Sequence, residues 1–127
     1  MSDDRMTGAH FRALRTYLGY SVADIADYLG VSINSARAWD KGAYSPPAGV
    51  IAELGKLQAA TELAVTYLSD HYSRNRIEWP MEIPRTAEQI DDMRPQIIMP
   101  GPVTVDWWKL VGIRVCERVP GLTLEWA

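Results

Sequence analysis

A chain of 127 residues, 47% of them hydrophobic, is long enough to bury a core of its own and sits near the size of one ordinary domain or two small lobes. Its formal charge of -3 at pH 7 argues against a protein that coats nucleic acid by charge alone, and no run of about 18 apolar residues exists that could span a bilayer. The start, "MSDDRMTGAH", lacks the charged-then-apolar layout of a secretory signal, so a cytoplasmic protein with no membrane partner is expected.

In chain order, Thr7 offers a helix cap, and Phe11, Leu14 and Leu18 follow at spacings of three and four, which predicts a first amphipathic helix stopping at Gly19. Ser21 caps a second helix with the apolar set Val22, Ile25, Ala26 and Leu29, and Gly30 ends it. Ser32 caps a third, which runs through Trp39 to Lys41 and closes at Gly42 before the loop "AYSPP". Two short helices with a hard corner between them present the third one outward.

From Ala48 to about Ser73 there is no proline, and Val50, Leu54, Leu57, Thr61, Ala64 and Leu68 recur in steps of four and three, predicting a long helix with a coiled-coil-like seam. The segment "RIEWPMEIP" alternates Ile77, Trp79, Met81 and Ile83 against polar neighbours, which is strand periodicity; Pro80, lacking an amide donor, places that strand at an edge or bulge. Thr86 with Gln89 resembles a capping box for a short helix reaching about Met93. After the loop "RPQIIMPGP", Thr104 caps a helix from about Val105 to Arg118 carrying Trp107, Leu110, Val111 and Val115 on one stripe. The tail "LTLEW" alternates again and pairs with the Ile77 strand, within one chain or between two. The expected fold class is α+β, mainly α: residues 1–47 as a nucleic-acid-binding region, 48–73 as a connecting helix, and 74–127 as a small C-terminal dimerisation lobe.

At 100° per residue, the third helix turns Ala36 and Trp39 to one side and Asn34, Arg37, Ala38 and Lys41 to the other. The polar side carries amide, guanidinium and ammonium groups, which suit the donor and acceptor pattern of a major groove. Residues 7–45, "FRALRTYLGYSVADIADYLGVSINSARAWDKG" and its flanks, resemble the lambda-repressor-like (Xre-type) helix-turn-helix regulators through Arg15 before a Leu-Gly turn, the Ser21 cap, Ala26, "LGVS" and the ending "WDKG". The resemblance implies a DNA-binding transcriptional regulator that places its third helix in the major groove, with Ile33, Asn34, Arg37 and Ala38 at base edges and Ser21, Ser32, Ser35, Lys41 and Tyr44 near phosphates. It also implies an ion pair of Arg15 with Asp40. Val22 departs from the family, whose members often carry a phosphate-touching glutamine there. The whole-chain layout resembles small phage and bacterial regulators that include anti-CRISPR-associated autorepressors, which implies a dimeric repressor of its own operon.

Residues 1–45 carry as many acids as bases, with Arg5, Arg12, Arg15, Arg37 and Lys41 against Asp3, Asp4, Asp24, Asp27 and Asp40. A single reading head so balanced cannot grip DNA through phosphates alone, so a homodimer on an inverted repeat of double-stranded DNA is expected. Its interface is expected to use Ile77, Trp79, Met81, Trp107, Trp108, Leu122, Leu124 and Trp126. RNA stays open as an alternative polymer, since basic and aromatic side chains serve both. The competing function class is a protein-interaction module, an antitoxin or adaptor using the same helices only as a scaffold. An enzyme is not expected: His10, His71 and the lone Cys116 make no nucleophile-base constellation, "GKLQAAT" lacks the GK[ST] ending of a phosphate loop, and neither a metal framework nor a cofactor is foreseen.

Overall fold

A computed structural model describes residues 6–127, so the first five residues of the predicted nucleic-acid-binding region lie outside the described part. Helices α1 (Gly8–Tyr17), α2 (Val22–Leu29) and α3 (Ile33–Lys41) are followed by the long α4 (Ala48–Arg74), strand β1 (Met81–Ile83), α5 (Val105–Arg118) and strand β2 (Leu124–Trp126). The class is α+β and mainly helical, with one two-stranded sheet.

The helix starts fall where the capping residues predict them. Thr7, Ser21, Ser32 and Thr104 each accept a backbone N–H from the third residue beyond, and Ser21 with Asp24 completes a reciprocal capping box. Between α2 and α3 the corner is made by Gly30, at φ 68°, where Gly30 and Val31 return their N–H groups to Asp27 O and Ala26 O. A residue with a Cβ would be strained there.

The seam of α4 buries Leu54, Leu57, Thr61, Ala64 and Leu68, as their spacing predicts, together with Val65 and Tyr72. Its main partner is α5. Trp107, fully buried, donates its indole N–H to Thr61 Oγ1 at 3.1 Å, and Thr61 in turn donates to Leu57 O at 2.8 Å, so two buried polar groups are satisfied together. Arg114 pairs with Glu62 and lies 4.8 Å over the Tyr17 ring, tying α5 to α4 and α1 at once. The start of α5 is seated on the turn after α1. Thr104 donates its hydroxyl to Gly19 O at 2.7 Å, and a Cβ on Gly19 would come within 2.6 Å of Trp107 Cα. One continuous cluster of buried side chains runs from Phe11 to Leu122.

The strand prediction needs correcting at its start. Residues Arg76–Glu78 form a 3-10 turn, and β1 begins only after Pro80. Ile77 is consequently 95% exposed, while Trp79 folds back to donate its indole N–H to Tyr72 O at 2.8 Å. The two strands pair in parallel within one chain, Met81 opposite Leu124 and Ile83 opposite Trp126. Parallel neighbours need a crossover, and the connection carrying α5 supplies it. Gly112 lets α5 lie close on the sheet: a Cβ there would stand 3.1 Å from Leu124 Cδ2 and 3.2 Å from Ile83 Cγ2.

The expected dimer interface is also corrected in part. Met81, Trp107, Trp108 and Leu122 are all buried inside the chain, against α4 and the sheet, and so offer no surface to a second copy. Trp79 and Leu124 are half-buried against the same core. Of the predicted set, Ile77 and Trp126 stay exposed.

Candidate nucleic-acid interface

The orientation of α3 is set by groups on both of its flanks. On the buried side, Ala36 and Trp39 pack into the core, and the Trp39 ring meets Phe11 of α1 edge to face with centroids 5.8 Å apart. At its C-terminal end, Asp40 takes the Arg15 Nε at 2.9 Å and Nη2 at 3.1 Å, so both carboxylate oxygens are held by one guanidinium. The same guanidinium donates Nη1 to Tyr20 O at 3.2 Å. Arg15 therefore connects α1, the turn before α2 and the end of α3. The Asp40 carboxyl is held below its ordinary range, first by its hydrogen bond from Arg15 and then by the charges of Arg15 and Arg12, against an opposing effect of burial.

Arg12 is a participant that sequence reasoning missed. Its Nε donates to Asp40 Oδ2 at 2.8 Å from an exposed position. The signal was present: Arg12 and Arg15 are three residues apart on a helix, so they share a face. A second tie, Tyr28 donating its hydroxyl to Glu53 Oε2 at 3.1 Å, joins α2 to α4.

The outward side of α3 carries Ile33, Asn34, Arg37 and Lys41, all exposed, with Ala38 and Ser35 half-buried beside them. These predicted residues do come together as one strip. Arg37 and Lys41 have no ion-pair partner among the described residues, whereas the basic groups of α1 are neutralised by Asp40. Ser21 and Ser32 are exposed, but their hydroxyls already cap α2 and α3; Ser32 also donates to Ser35 Oγ at 3.0 Å. Tyr44 stands beyond the end of α3, 71% exposed. The exposed acid nearest this strip in sequence is Asp27 on α2, three residues before the Gly30 corner.

Chemically, the strip offers an amide that can both donate and accept, a guanidinium that can engage two acceptors at once, an ammonium, and a small apolar patch from Ile33 and Ala38. No helix among the described residues is long and apolar enough to cross a membrane. Comparison with protein-family models finds no match, and comparison with curated proteins finds none either.

Proposed function

We propose that the chain is a sequence-specific DNA-binding transcriptional regulator of the lambda-repressor-like helix-turn-helix kind, acting in the cytoplasm at the nucleoid. On this reading α2 and α3 form the motif, and α3 enters the major groove. The observation that carries the proposal is the exposed strip of Asn34, Arg37 and Lys41 on a helix whose opposite side is locked by Trp39 and the Arg15–Asp40 pair. A rigid helix presenting unneutralised donors is what base-edge readout needs, because freezing a mobile reading head would consume binding energy.

Asn34 and Arg37 reach base edges, Ile33 and Ala38 touch thymine methyls, and Lys41 and Tyr44 lie at phosphates. The capping hydroxyls of Ser21 and Ser32 mark two helix N-termini that favour phosphate oxygens nearby, with Ser35 in the first turn of α3 beside the second. Two copies acting together on an inverted repeat, with half-sites about 34 Å apart, supply the grip that one charge-balanced head lacks. With four of the predicted interface residues buried inside the chain, Ile77 and Trp126 are the members of that set still exposed to a second copy, and Leu63, Tyr67, Ile98 and Ile113 are further exposed apolar side chains away from α3. Repression of its own operon is the role such a dimer fills.

Footprinting on the DNA upstream of the chain's own gene tests this reading. A protected pair of symmetric half-sites on one face of the duplex is the expected result. Uniform protection, or none, would replace it with the scaffold reading, in which a stoichiometric protein partner copurifies and no duplex is shifted.

A further inference from the structure

Helix α4 carries two stripes, and packing within the chain uses one of them. Leu54, Leu57, Thr61 and Leu68 are buried in the core. On the opposite side Lys56, Ala59, Leu63, Tyr67 and Asp70 are all exposed, Leu63 by 71% and Tyr67 by 52%. At 100° per residue these five fall within about 40° of Leu63, so they line up as one stripe along the helix.

The spacing of that stripe is the same in both directions. Ala59 and Tyr67 lie four residues either side of Leu63, and Lys56 and Asp70 lie seven. Two copies of α4 laid antiparallel about a two-fold axis at Leu63 therefore set Leu63 against the partner's Leu63, Ala59 against the partner's Tyr67 and Lys56 against the partner's Asp70, each pair level along the helices. Small meets large, and base meets acid. The apolar contacts sit at the centre and the charges at the rim, as in protein interfaces generally.

Charge selects this arrangement over its alternatives. Within α4, Lys56 holds Glu53 at 3.0 Å and Arg74 holds Asp70 at 3.1 Å, exposed pairs of small value on their own. Antiparallel pairing brings the Glu53 and Lys56 end of one copy beside the Asp70 and Arg74 end of the other, so that opposite signs face each other at both ends of the contact. Parallel pairing would instead set Lys56 against Lys56 and Asp70 against Asp70, and crowd Tyr67 on Tyr67. A surface complementary to its own reverse is the property an isologous contact requires, which makes a second copy of this chain the occupant that fits it.

We propose that the exposed face of α4 is the dimer interface of this chain, an antiparallel α4 pair with its two-fold axis at Leu63. This interface rests on the two-copy reading given above and places the contact on α4 in place of Ile77 and Trp126. It makes no use of α3.

Sedimentation equilibrium of the full chain, without DNA, is the test, and the parent should be a dimer at micromolar concentration. Leu63→Glu, at an exposed site that tolerates the change, should weaken the dimer by about a hundredfold or more, because two carboxylates then meet at the axis where two leucines stood. Lys56→Glu should weaken it by about tenfold, since symmetry turns two attractions into two repulsions. In a Cys116→Ser background, which removes the one native thiol, Leu63→Cys should form an intermolecular disulfide on mild oxidation because that position meets its own copy. Ile77→Cys, at a site more exposed still, should stay uncrosslinked. A dimer unmoved by Leu63→Glu, or crosslinking through Ile77→Cys in place of Leu63→Cys, would overturn this interface and leave the two-copy reading standing. A monomeric parent would overturn both.

Discussion

Replacing Arg15 with alanine removes three N–H donors at once: Nε and Nη2 from Asp40, at 2.9 and 3.1 Å, and Nη1 from Tyr20 O, at 3.2 Å. The side chains of Arg15 and Asp40 are only 14% and 9% exposed, which puts the pair nearer the buried limit, where breaking a pair costs about 3–5 kcal/mol, than the exposed limit of about 0–1 kcal/mol. Asp40 is not left bare, however, since Arg12 still donates to it at 2.8 Å. The retained contact brings the expected loss to about 2 kcal/mol. At roughly 3 to 5 °C per kcal/mol for a chain of this length, the melting temperature should fall by about 6 to 10 °C. Differential scanning calorimetry reads this directly, with Arg12→Ala, a 59% exposed partner, as the comparison that should cost under about 1 kcal/mol. The sign of the acid dependence follows as well. Asp40 has a folded pKa below its unfolded one, so its contribution is complete above the unfolded value, near pH 4, and is lost as pH falls through the folded value. The gap between parent and variant should therefore narrow below about pH 4. An Arg15→Ala protein that melts within about 1 °C of the parent at neutral pH would refute the claim that this pair fixes the helices.

Arg37→Ala should cost about 1 to 3 kcal/mol on the specific duplex and relax preference at one base pair, whereas Lys41→Ala should weaken all duplexes alike and lower the salt slope by about one; equal losses on specific and random DNA for Arg37→Ala would contradict its assignment. Gly19→Ala should destabilise by several kcal/mol, on the order of 2 to 4, because the residue sits at φ 82° and a Cβ would collide with the Trp107 backbone; urea unfolding measures it. Thr61→Val keeps the shape but leaves the Trp107 indole N–H buried without its partner, so a loss of about 1 to 3 kcal/mol is expected in the same assay. Sedimentation of the full chain should give a dimer at micromolar concentration. A truncation ending near Ser73 is not a clean test of dimerisation, because it would also strip Trp107 and Val111 from the seam of α4.

Local chemistry was legible where one short stretch decides the outcome. Thr7, Ser21, Ser32 and Thr104 each announce a helix start, and Gly30 announces a corner, because caps and positive φ depend on neighbours within a few residues. The seam of α4 was legible from periodicity for the same reason. What failed was long-range. Trp107 and Trp108 look like surplus surface until the partner of one, Thr61, is known, and that residue lies 46 positions away. Ile77 and Trp79 have strand spacing, but the 3-10 turn and the docking of Trp79 on Tyr72 O remove them from the sheet, and alternation alone does not report such a contact. Parallel pairing of β1 with β2 was likewise invisible, since two three-residue strands carry no mark of their relative direction. At the candidate interface, the outward strip could be read from helix geometry, and so could the shared face of Arg12 and Arg15, whereas the contact of Arg15 with Tyr20 O, a backbone group, needed coordinates to be recognised.

Whether α3 reads DNA is tested most directly by fluorescence anisotropy of the full chain on a labelled duplex from upstream of its own gene, against a scrambled duplex, at about 50 and 200 mM salt. Binding to the first is expected to be at least about a thousandfold tighter than to the second, with affinity for both falling steeply as salt rises. Equal weak affinity for the two duplexes, or no binding to either at the lower salt, would contradict it.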